Sequence, residues 1–333
     1  MYVLSLQYLI ARPSGKKEMG EKMRNNIIFI FLLSAFFLQR CADHEKILLK
    51  NNLKGVQHIG IPVNDIEQSK AWYTKILGFQ VVHEPIVPGK NGDIKVAFLK
   101  KGDITLELYQ LAGESLNEIK NRDHGHIDHF AIDVLEIDKA LKNTLAEGAI
   151  LDESTPDGPK AIDVFWSKGV KYVILKGPNG EKVELNQRFD LDKSRRKENL
   201  GGWSHLGIPI TDLEKSKHFY RQFGFKEIMY TEIPIGDESI NVSMMEKDQF
   251  VIELYQLYGD NLVEISQRKD GHIDHIAFDV IDIDKAYQEI KEAGFEIFED
   301  APVYLDFWDN GVKYFNIRGP DGEKLEFNEI IRP

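Results

Sequence analysis

VQHIGIPVNDIEQSKAWYTKILGF, residues 56–79, is the stretch that decides the fold, and it returns as WSHLGIPITDLEKSKHFYRQFGF at residues 203–225. In both copies a short apolar run, typical of a strand, passes through a polar loop into a helical pattern. The spacing Asn64-x-x-Glu67 is a capping signal at the helix start, and it recurs at Thr211. The stretch predicts a strand–helix unit, and its return predicts a tandem duplication.

Two further stretches recur in the same order. GHIDHFAIDV from Gly125 matches GHIDHIAFDV from Gly271, and FWSKGVKYVILKGPNGEKVELNQ from Phe165 matches FWDNGVKYFNIRGPDGEKLEFNE from Phe307. Each copy also divides in two, because its second half again reads as one strand, one helix and three strands. The chain is therefore predicted to contain four βαβββ modules of the α+β class.

The repeats define the predicted domains. The first domain covers residues 54–189 and the second covers residues 203–331. The segment 190–202 is charged, ends in two glycines and lacks apolar periodicity, so it is the predicted linker.

In each of the four modules, a histidine on one strand is followed about 50 residues later by a glutamate on another strand. The four pairs are His58 with Glu107, His129 with Glu184, His205 with Glu253, and His275 with Glu326. Strand alternation sets these side chains opposite the apolar ones, so they are predicted to face a cavity. Because a mid-strand carboxylate is costly unless it is solvated, paired or metal-bound, the recurrence favours sites for a divalent metal.

Composition and short motifs argue against several other classes of protein. The net charge of -12 argues against a general nucleic-acid binder, which needs clustered Lys and Arg. Cys41 is the single cysteine, so neither an internal disulfide nor a Cys-rich zinc site is possible. The sequence also shows no Ser-His-Asp order, and the repeated GPNGEK and GPDGEK turns are hairpin signals rather than phosphate loops.

The first 45 residues are predicted to be a targeting segment. An apolar run at residues 27–38 follows a polar stretch with one arginine, which is typical of an export signal, and Met23 is a possible start. Cys41 follows the run, as the lipidated cysteine does in a bacterial lipoprotein. The sequence thus predicts export to the periplasm or cell surface, with membrane attachment through Cys41 or with a plain secretion signal as the alternatives.

From residue 56 to residue 330 the pattern resembles the vicinal oxygen chelate superfamily, and within it the glyoxalase I branch. In that superfamily two βαβββ modules pair to form a cupped sheet, and the first and last strands of each module supply one metal ligand each. The resemblance groups His58, Glu107, His129 and Glu184 in one site. It groups His205, Glu253, His275 and Glu326 in the other. Exchange of ligands between the two domains remains open, because the spacing permits both arrangements.

The resemblance also implies a chemistry. A bound Ni, Zn, Fe, Mn or Co ion would act as a Lewis acid on an enediolate, while a glutamate moves a proton between adjacent carbons. By position that base is Glu184 or Glu326, with Glu107 or Glu253 as the alternates. The implied function is a glyoxalase-like lyase or isomerase acting on a small molecule with vicinal oxygens.

Two other functions remain possible within the resemblance. One is an extradiol-type dioxygenase, although such enzymes use two His and one Glu, so the extra carboxylates favour proton transfer. The other is a non-catalytic protein that binds a ligand or drug.

Several residues around the ligands are weaker candidates for a role. The histidines three positions before two of the ligands, and the aspartates that share their strand face, are expected at the surface or in support of the ligands. Aromatic residues are expected to wall the cavity or to fill the core. The set is His126, His272, Asp128, Asp274, Trp166, Trp308, Tyr109 and Tyr255.

Overall fold

A computed structural model describes residues 47–194 and 196–332. The predicted export signal, the alternative start at Met23 and the lipidation of Cys41 lie outside these residues and remain predictions. Within the described part of the chain, no helix combines the length and apolar character needed to cross a membrane.

The described residues form eighteen strands and six helices. The strands are β1 (Leu53–Pro62), β2 (Gln80–His83), β3 (Ile86–Val87), β4 (Ile94–Lys101), β5 (Ile104–Gln110), β6 (His129–Val134), β7 (Ile150–Leu151), β8 (Lys160–Ile162), β9 (Val170–Lys176), β10 (Lys182–Arg188), β11 (Leu200–Ile210), β12 (Lys226–Ile235), β13 (Glu238–Lys247), β14 (Phe250–Gln256), β15 (His275–Val280), β16 (Val303–Leu305), β17 (Val312–Arg318) and β18 (Lys324–Ile330). The helices are α1 (Ile66–Leu77), α2 (Gly113–Lys120), α3 (Ile137–Ala146), α4 (Leu213–Gln222), α5 (Asp260–Ser266) and α6 (Ile283–Glu292). The order confirms the four predicted modules.

The strands are divided between two nine-stranded sheets. The first sheet has the order β16-β17-β18-β15-β1-β5-β4-β2, with β3 paired to β4. The second sheet has the order β12-β13-β14-β11-β6-β10-β9-β7, with β8 paired to β9. The first sheet thus joins the first module to the fourth, and the second sheet joins the second module to the third. Each sheet therefore draws on both sequence repeats.

The helices, by contrast, bind each repeat together internally. Tyr73 on α1 donates a hydrogen bond of 2.7 Å to Glu181 in the β9–β10 hairpin, and Tyr220 on α4 donates one of 2.8 Å to Glu323 in the β17–β18 hairpin. All four side chains are buried. Because an unpaired buried hydroxyl or carboxyl is costly, these bonds fix each helix against the hairpin of its own repeat.

The helix starts differ by one residue from the capping prediction. Asp65 and Asp212 are the N-caps, and their carboxylates accept hydrogen bonds from the backbone N–H groups of Gln68 and Lys215 at 3.0 Å. The backbone N–H of Asn64 instead donates to Asn179 in the β9–β10 hairpin. The predicted cap residue is therefore used to dock a hairpin.

Candidate metal centres

The first centre is formed by His58, Glu107, His275 and Glu326. The Nε2 atoms of the two imidazoles lie 3.1 Å apart. Glu107 Oε2 lies 3.4 Å from His58 Nε2 and 3.5 Å from His275 Nε2. The two Glu326 oxygens lie 3.9 Å from the same two nitrogens, one each. Two imidazoles and two carboxylates thus converge on one point.

The second centre repeats this arrangement with His129, Glu184, His205 and Glu253. Its Nε2 atoms are also 3.1 Å apart. Glu253 Oε2 lies 3.4 Å from His129 Nε2 and 3.5 Å from His205 Nε2. The Glu184 oxygens lie 3.8 Å and 3.6 Å from these nitrogens. All eight predicted ligands therefore lie in one of two matching clusters.

The grouping of the ligands by repeat was wrong. His58 and Glu107 converge with His275 and Glu326, not with His129 and Glu184. The physical reason is strand pairing, because β1 pairs with β15 and β11 pairs with β6. The exchange between repeats, which the spacing left open, is the observed arrangement.

Four central strands of each sheet supply one ligand apiece. In the first sheet, β5, β1, β15 and β18 are consecutive neighbours. The parallel register sets Glu107 beside Gly60, and it sets Glu326 beside Ala277. Because all four side chains leave the same face of adjacent strands, they meet above the middle of the sheet.

A glycine on the facing strand makes room for one imidazole in each centre. Gly60 lies opposite His275, and Gly207 lies opposite His129. A Cβ atom on either glycine would come within 2.0 Å of the Cε1 atom of the facing imidazole. Glycine therefore lets the His275 ring cross the neighbouring strand and reach His58.

Each of the four imidazoles is held at Nδ1 by the side chain of the preceding residue. The pairs are His58 with Gln57 Oε1 at 2.8 Å, His129 with Asp128 Oδ2 at 3.1 Å, His205 with Ser204 Oγ at 3.2 Å, and His275 with Asp274 Oδ2 at 3.1 Å. With Nδ1–H donating to the Asp or Gln oxygen, Nε2 presents its lone pair to the centre. Sequence reasoning missed Gln57 and Ser204.

The two supporting aspartates are themselves neutralised by basic residues. Both are buried, whereas the sequence left open a place at the surface. Asp128 lies 2.9 Å from Lys182 Nζ and 3.5 Å from Arg268 Nη1, and Asp274 lies 2.7 Å from Arg122 Nη1 and 2.7 Å from Lys324 Nζ. Each arginine belongs to the other sequence repeat. The support of each centre, like its ligand set, therefore crosses between repeats.

The two carboxylates of a centre differ in proton affinity. Burial raises the pKa of Glu184 to about 7, and it also raises the pKa of Glu326. Burial acts in the same direction on Glu107 and Glu253, but the imidazoles of their centres outweigh it and lower the pKa of both. Each centre thus combines one firmly ionised carboxylate with one more basic carboxylate.

The donor atoms fit a single divalent ion in each centre. Neighbouring ligands bound at about 2.0–2.2 Å lie about 3.0–3.5 Å from one another. The distances between the two imidazole nitrogens, and from them to the carboxylate oxygens, are 3.1–3.9 Å and need only small movements to reach these values. Nitrogen and oxygen donors of this kind suit Ni, Zn, Fe, Mn or Co, and with four protein ligands they leave positions for substrate.

The first centre opens into a cavity of about 360 Å³. Its walls include Phe98, Trp308 and Tyr109, and the Trp308 ring stacks on His83 with 4.2 Å between centroids. Asn316 also lines the cavity. Its Oδ1 atom is buried without a hydrogen-bond partner in the described part of the chain, whereas its Nδ2 donates to Glu299 at 2.8 Å.

The second centre opens into a smaller cavity of about 190 Å³. Its lining is mostly apolar and includes Phe165, Ile174 and Tyr255. Trp166 packs with the apolar residues around it, and the Arg188 guanidinium lies 3.3 Å from the centroid of its ring. The aromatic residues named from the sequence thus lie in or beside the two cavities.

The comparisons with known proteins agree with this architecture. Residues 55–185 and 202–327 match the model of the Glyoxalase/Bleomycin resistance protein/Dioxygenase superfamily. The chain belongs to this superfamily. It is 31% identical over 127 residues to the uncharacterized protein YwbC of Bacillus subtilis, a match that covers 37% of this chain and 93% of YwbC.

Two further relatives are enzymes. Methylmalonyl-CoA epimerase of Dictyostelium discoideum is 26% identical over 145 residues, which cover 43% of this chain and 83% of the epimerase. The crystal structure of glyoxalase I from Zea mays is similar in fold, with a TM-score of 0.63 at 22% identity, over 84% of this chain and 94% of that chain. The first match relates the chain to an enzyme of the superfamily, and the second shows a shared fold.

Proposed function

We propose that the chain is a metal-dependent lyase or isomerase that moves a proton between adjacent carbons of a small substrate with two neighbouring oxygens. The observation that carries the proposal is the convergence of two imidazoles and two carboxylates at the base of each cavity. The similarity to an epimerase is consistent with a proton-transfer reaction. A bound divalent ion would supply a Lewis acid to the substrate oxygens.

Glu326 and Glu184 are the proposed bases. Their oxygens lie 3.6–3.9 Å from the imidazole nitrogens, whereas those of Glu107 and Glu253 lie 3.4–3.5 Å away. One oxygen of each base accepts a hydrogen bond from an asparagine two residues further along the strand. The other oxygen is then available to take a proton from carbon. The raised pKa of both carboxyls supports the same assignment.

Glu107 and Glu253 are proposed to act as ligands only. Both lie between the two imidazoles of their centres, which hold them ionised. Each centre therefore keeps three close donors while its base changes protonation state. The fourth donor also favours proton transfer over an extradiol-type dioxygenase, whose ligand set is two His and one Glu.

The proposal is tested by exchange of a carbon-bound proton with solvent deuterium. The metal-loaded chain is expected to exchange the proton next to the carbonyl of α-hydroxyketones, and the metal-free chain is not. The double variant Glu184→Gln, Glu326→Gln is expected to lose this exchange while it retains metal. Glu238→Gln, at an exposed hairpin position, is the control.

Absence of exchange with every divalent ion tried would overturn the proposal. Unchanged exchange in the double variant would overturn the assignment of the bases. Oxygen consumption with catechols, unaffected by Glu107→Ala and Glu253→Ala, would instead indicate a dioxygenase.

A further inference from the structure

The two sequence repeats meet along a seam that contains none of the eight proposed ligands of the two metal centres. The seam is the contact between residues 121–128 and residues 267–274. The backbones of Gly125 and Gly271 touch there, so that a Cβ on either would lie within 2.5 Å of the other chain segment. Ile127 and Ile273 form an antiparallel bridge. The seam is close to symmetric in its backbone, but its two ends carry different side chains.

At one end of the seam, three metal-ligating side chains come together. Asp123, His124 and His272 each offer a ligand atom, and these atoms lie within 4.8 Å of one another. The two imidazole rings meet edge to face with 5.6 Å between centroids. The backbone N–H of His272 donates to the Asp123 carbonyl oxygen at 3.2 Å, so the cluster spans both repeats.

The other end of the seam is closed by an ion pair instead. Lys269 and Asp270 occupy the places of Asp123 and His124 in the repeat. The Asp270 carboxylate binds the Arg318 guanidinium through both of its oxygens. His126 takes the place of His272. The two ends of the seam thus have similar backbones but different side chains. One end carries an ion pair, and the other carries two imidazoles and a carboxylate that can bind a metal.

We propose that Asp123, His124 and His272 form a third metal site, which holds a divalent cation such as Zn²⁺ and links the two repeats across the seam. Two imidazoles, one carboxylate and a water complete a tetrahedral zinc sphere. Ligand atoms about 3.3 Å apart are needed for bonds of about 2.0–2.1 Å, which side-chain rotation at this half-exposed place provides.

The place is open to solvent, and the basic groups near it are paired with carboxylates: Lys182 with Asp128 and Arg122 with Asp274. Asp123 and His124 line an open cavity of about 940 Å³, so the ion has a path from solvent. Lys176, which takes the place of Arg318, is paired 2.8 Å from Glu153.

The site is tested by counting zinc ions per chain after equilibration with a zinc buffer and removal of free metal. The variant His124→Ala is expected to retain one ion fewer than the parent chain, and His272→Ala is expected to do the same. His126→Ala is the matched control, because it removes the equivalent imidazole from the end of the seam that the ion pair closes. It is expected to retain the full count.

The difference between variant and parent is independent of the two proposed centres. If those centres bind no zinc, the expected counts are one in the parent chain and none in His124→Ala. An equal count in the parent chain and in both seam variants would overturn the proposal. Asp123→Asn provides a second reading at an exposed position, with an expected loss of zinc affinity of about tenfold or more. Unchanged affinity in that variant would contradict the triad.

Discussion

The two metal centres share their ligands but not their walls. In matching strand registers, Phe98 faces Glu107 where Met244 faces Glu253, and Asn316 faces Glu326 where Ile174 faces Glu184. His83 beside the first centre is likewise replaced by Met229 beside the second. The cluster of histidines and glutamates is thus duplicated, whereas the part of the site that would touch a substrate has diverged.

The divergence gives the two centres different shapes. The first cavity has an aromatic wall, an unpartnered amide oxygen and about twice the volume of the second. The second is smaller, and aliphatic side chains line it together with Phe165, Tyr172 and Tyr255. The flexible side chains of Met229 and Met244 pack in the apolar cluster beside it. We therefore expect the two centres to prefer different substrates, and the variants below separate their contributions.

The largest effect is expected from removing one base at a time. Glu326→Gln should slow proton exchange on a phenyl-substituted α-hydroxyketone by about 10²–10⁴-fold, because the larger aromatic cavity belongs to its centre. Glu184→Gln should leave that rate nearly unchanged. Deuterium incorporation followed by NMR measures both. Equal losses in the two variants would show that the cavities do not discriminate.

Substitution of the glycines that face the imidazoles should weaken metal binding in one centre at a time. Gly60→Ala places a methyl group against the His275 ring, so the first centre is expected to lose about 10–100-fold in metal affinity. Gly207→Ala should do the same to the second centre through His129. Titration with Ni²⁺ measures both, and full affinity in both variants would contradict the described packing.

Asn316 should matter only in the first centre. Its unpartnered Oδ1 atom can accept a hydrogen bond from a substrate hydroxyl, which contributes about 1 kcal/mol. Asn316→Ile, which copies the second centre, is expected to raise KM for a hydroxyl-bearing substrate by about fivefold. Ile174→Asn is the reciprocal variant. A KM unchanged by Asn316→Ile, with the melting temperature preserved, would remove Asn316 from substrate recognition.

The smallest effect concerns the hairpin carboxylates and is seen in stability. Burial raises the pKa of Glu323 to about 7 from an ordinary value of 4.5, and the neighbouring Asp321 charge adds to the shift. Between these values the folded chain holds a proton that the unfolded chain lacks. The free energy of unfolding should therefore fall as pH rises from about 4.5 to about 7, by at most about 1.4 kcal/mol per pH unit from this group.

The first repeat has Asn179 where the second has Asp321. Exchanging these two residues therefore provides a matched pair of control variants. Asp321→Asn should lower the pKa of Glu323 and flatten the fall in stability, because the nearby charge is gone. Asn179→Asp should steepen the fall through Glu181, whose pKa burial already raises. Urea unfolding at several pH values measures both changes. A slope that is the same in all three chains would show that these carboxyls do not control it.

The four modules, and the eight histidines and glutamates that the structure brings together, could be predicted because each of these features recurs in every module. The grouping of the ligands could not be predicted from strand patterns. The sequences HFAIDV of β6 and HIAFDV of β15 are nearly identical, so β1 has two equally suitable partners. The observed pairing is accompanied by contacts far apart in sequence, such as the bond from Arg122 to Asp274.

One feature of the sequence indicates which side chains hold the imidazoles. Each ligand histidine follows a residue with a side-chain oxygen, and alternation suggests that neighbours on a strand point apart. At Gln57 and Ser204 the side chain nevertheless reaches the next imidazole, because β1 and β11 have irregular pairing at these points. The β-bulge is a property of the paired sheet, and a single strand does not reveal it.

Metal content in double variants tests the exchange of ligands between repeats most directly. In a His124→Ala background, which removes the proposed seam site, the chain with His58→Ala and His275→Ala should retain one ion, because both changes fall in the first centre. The chain with His58→Ala and His129→Ala should retain none. The reverse result, with one ion kept when His58 and His129 are removed and none when His58 and His275 are removed, would contradict the account.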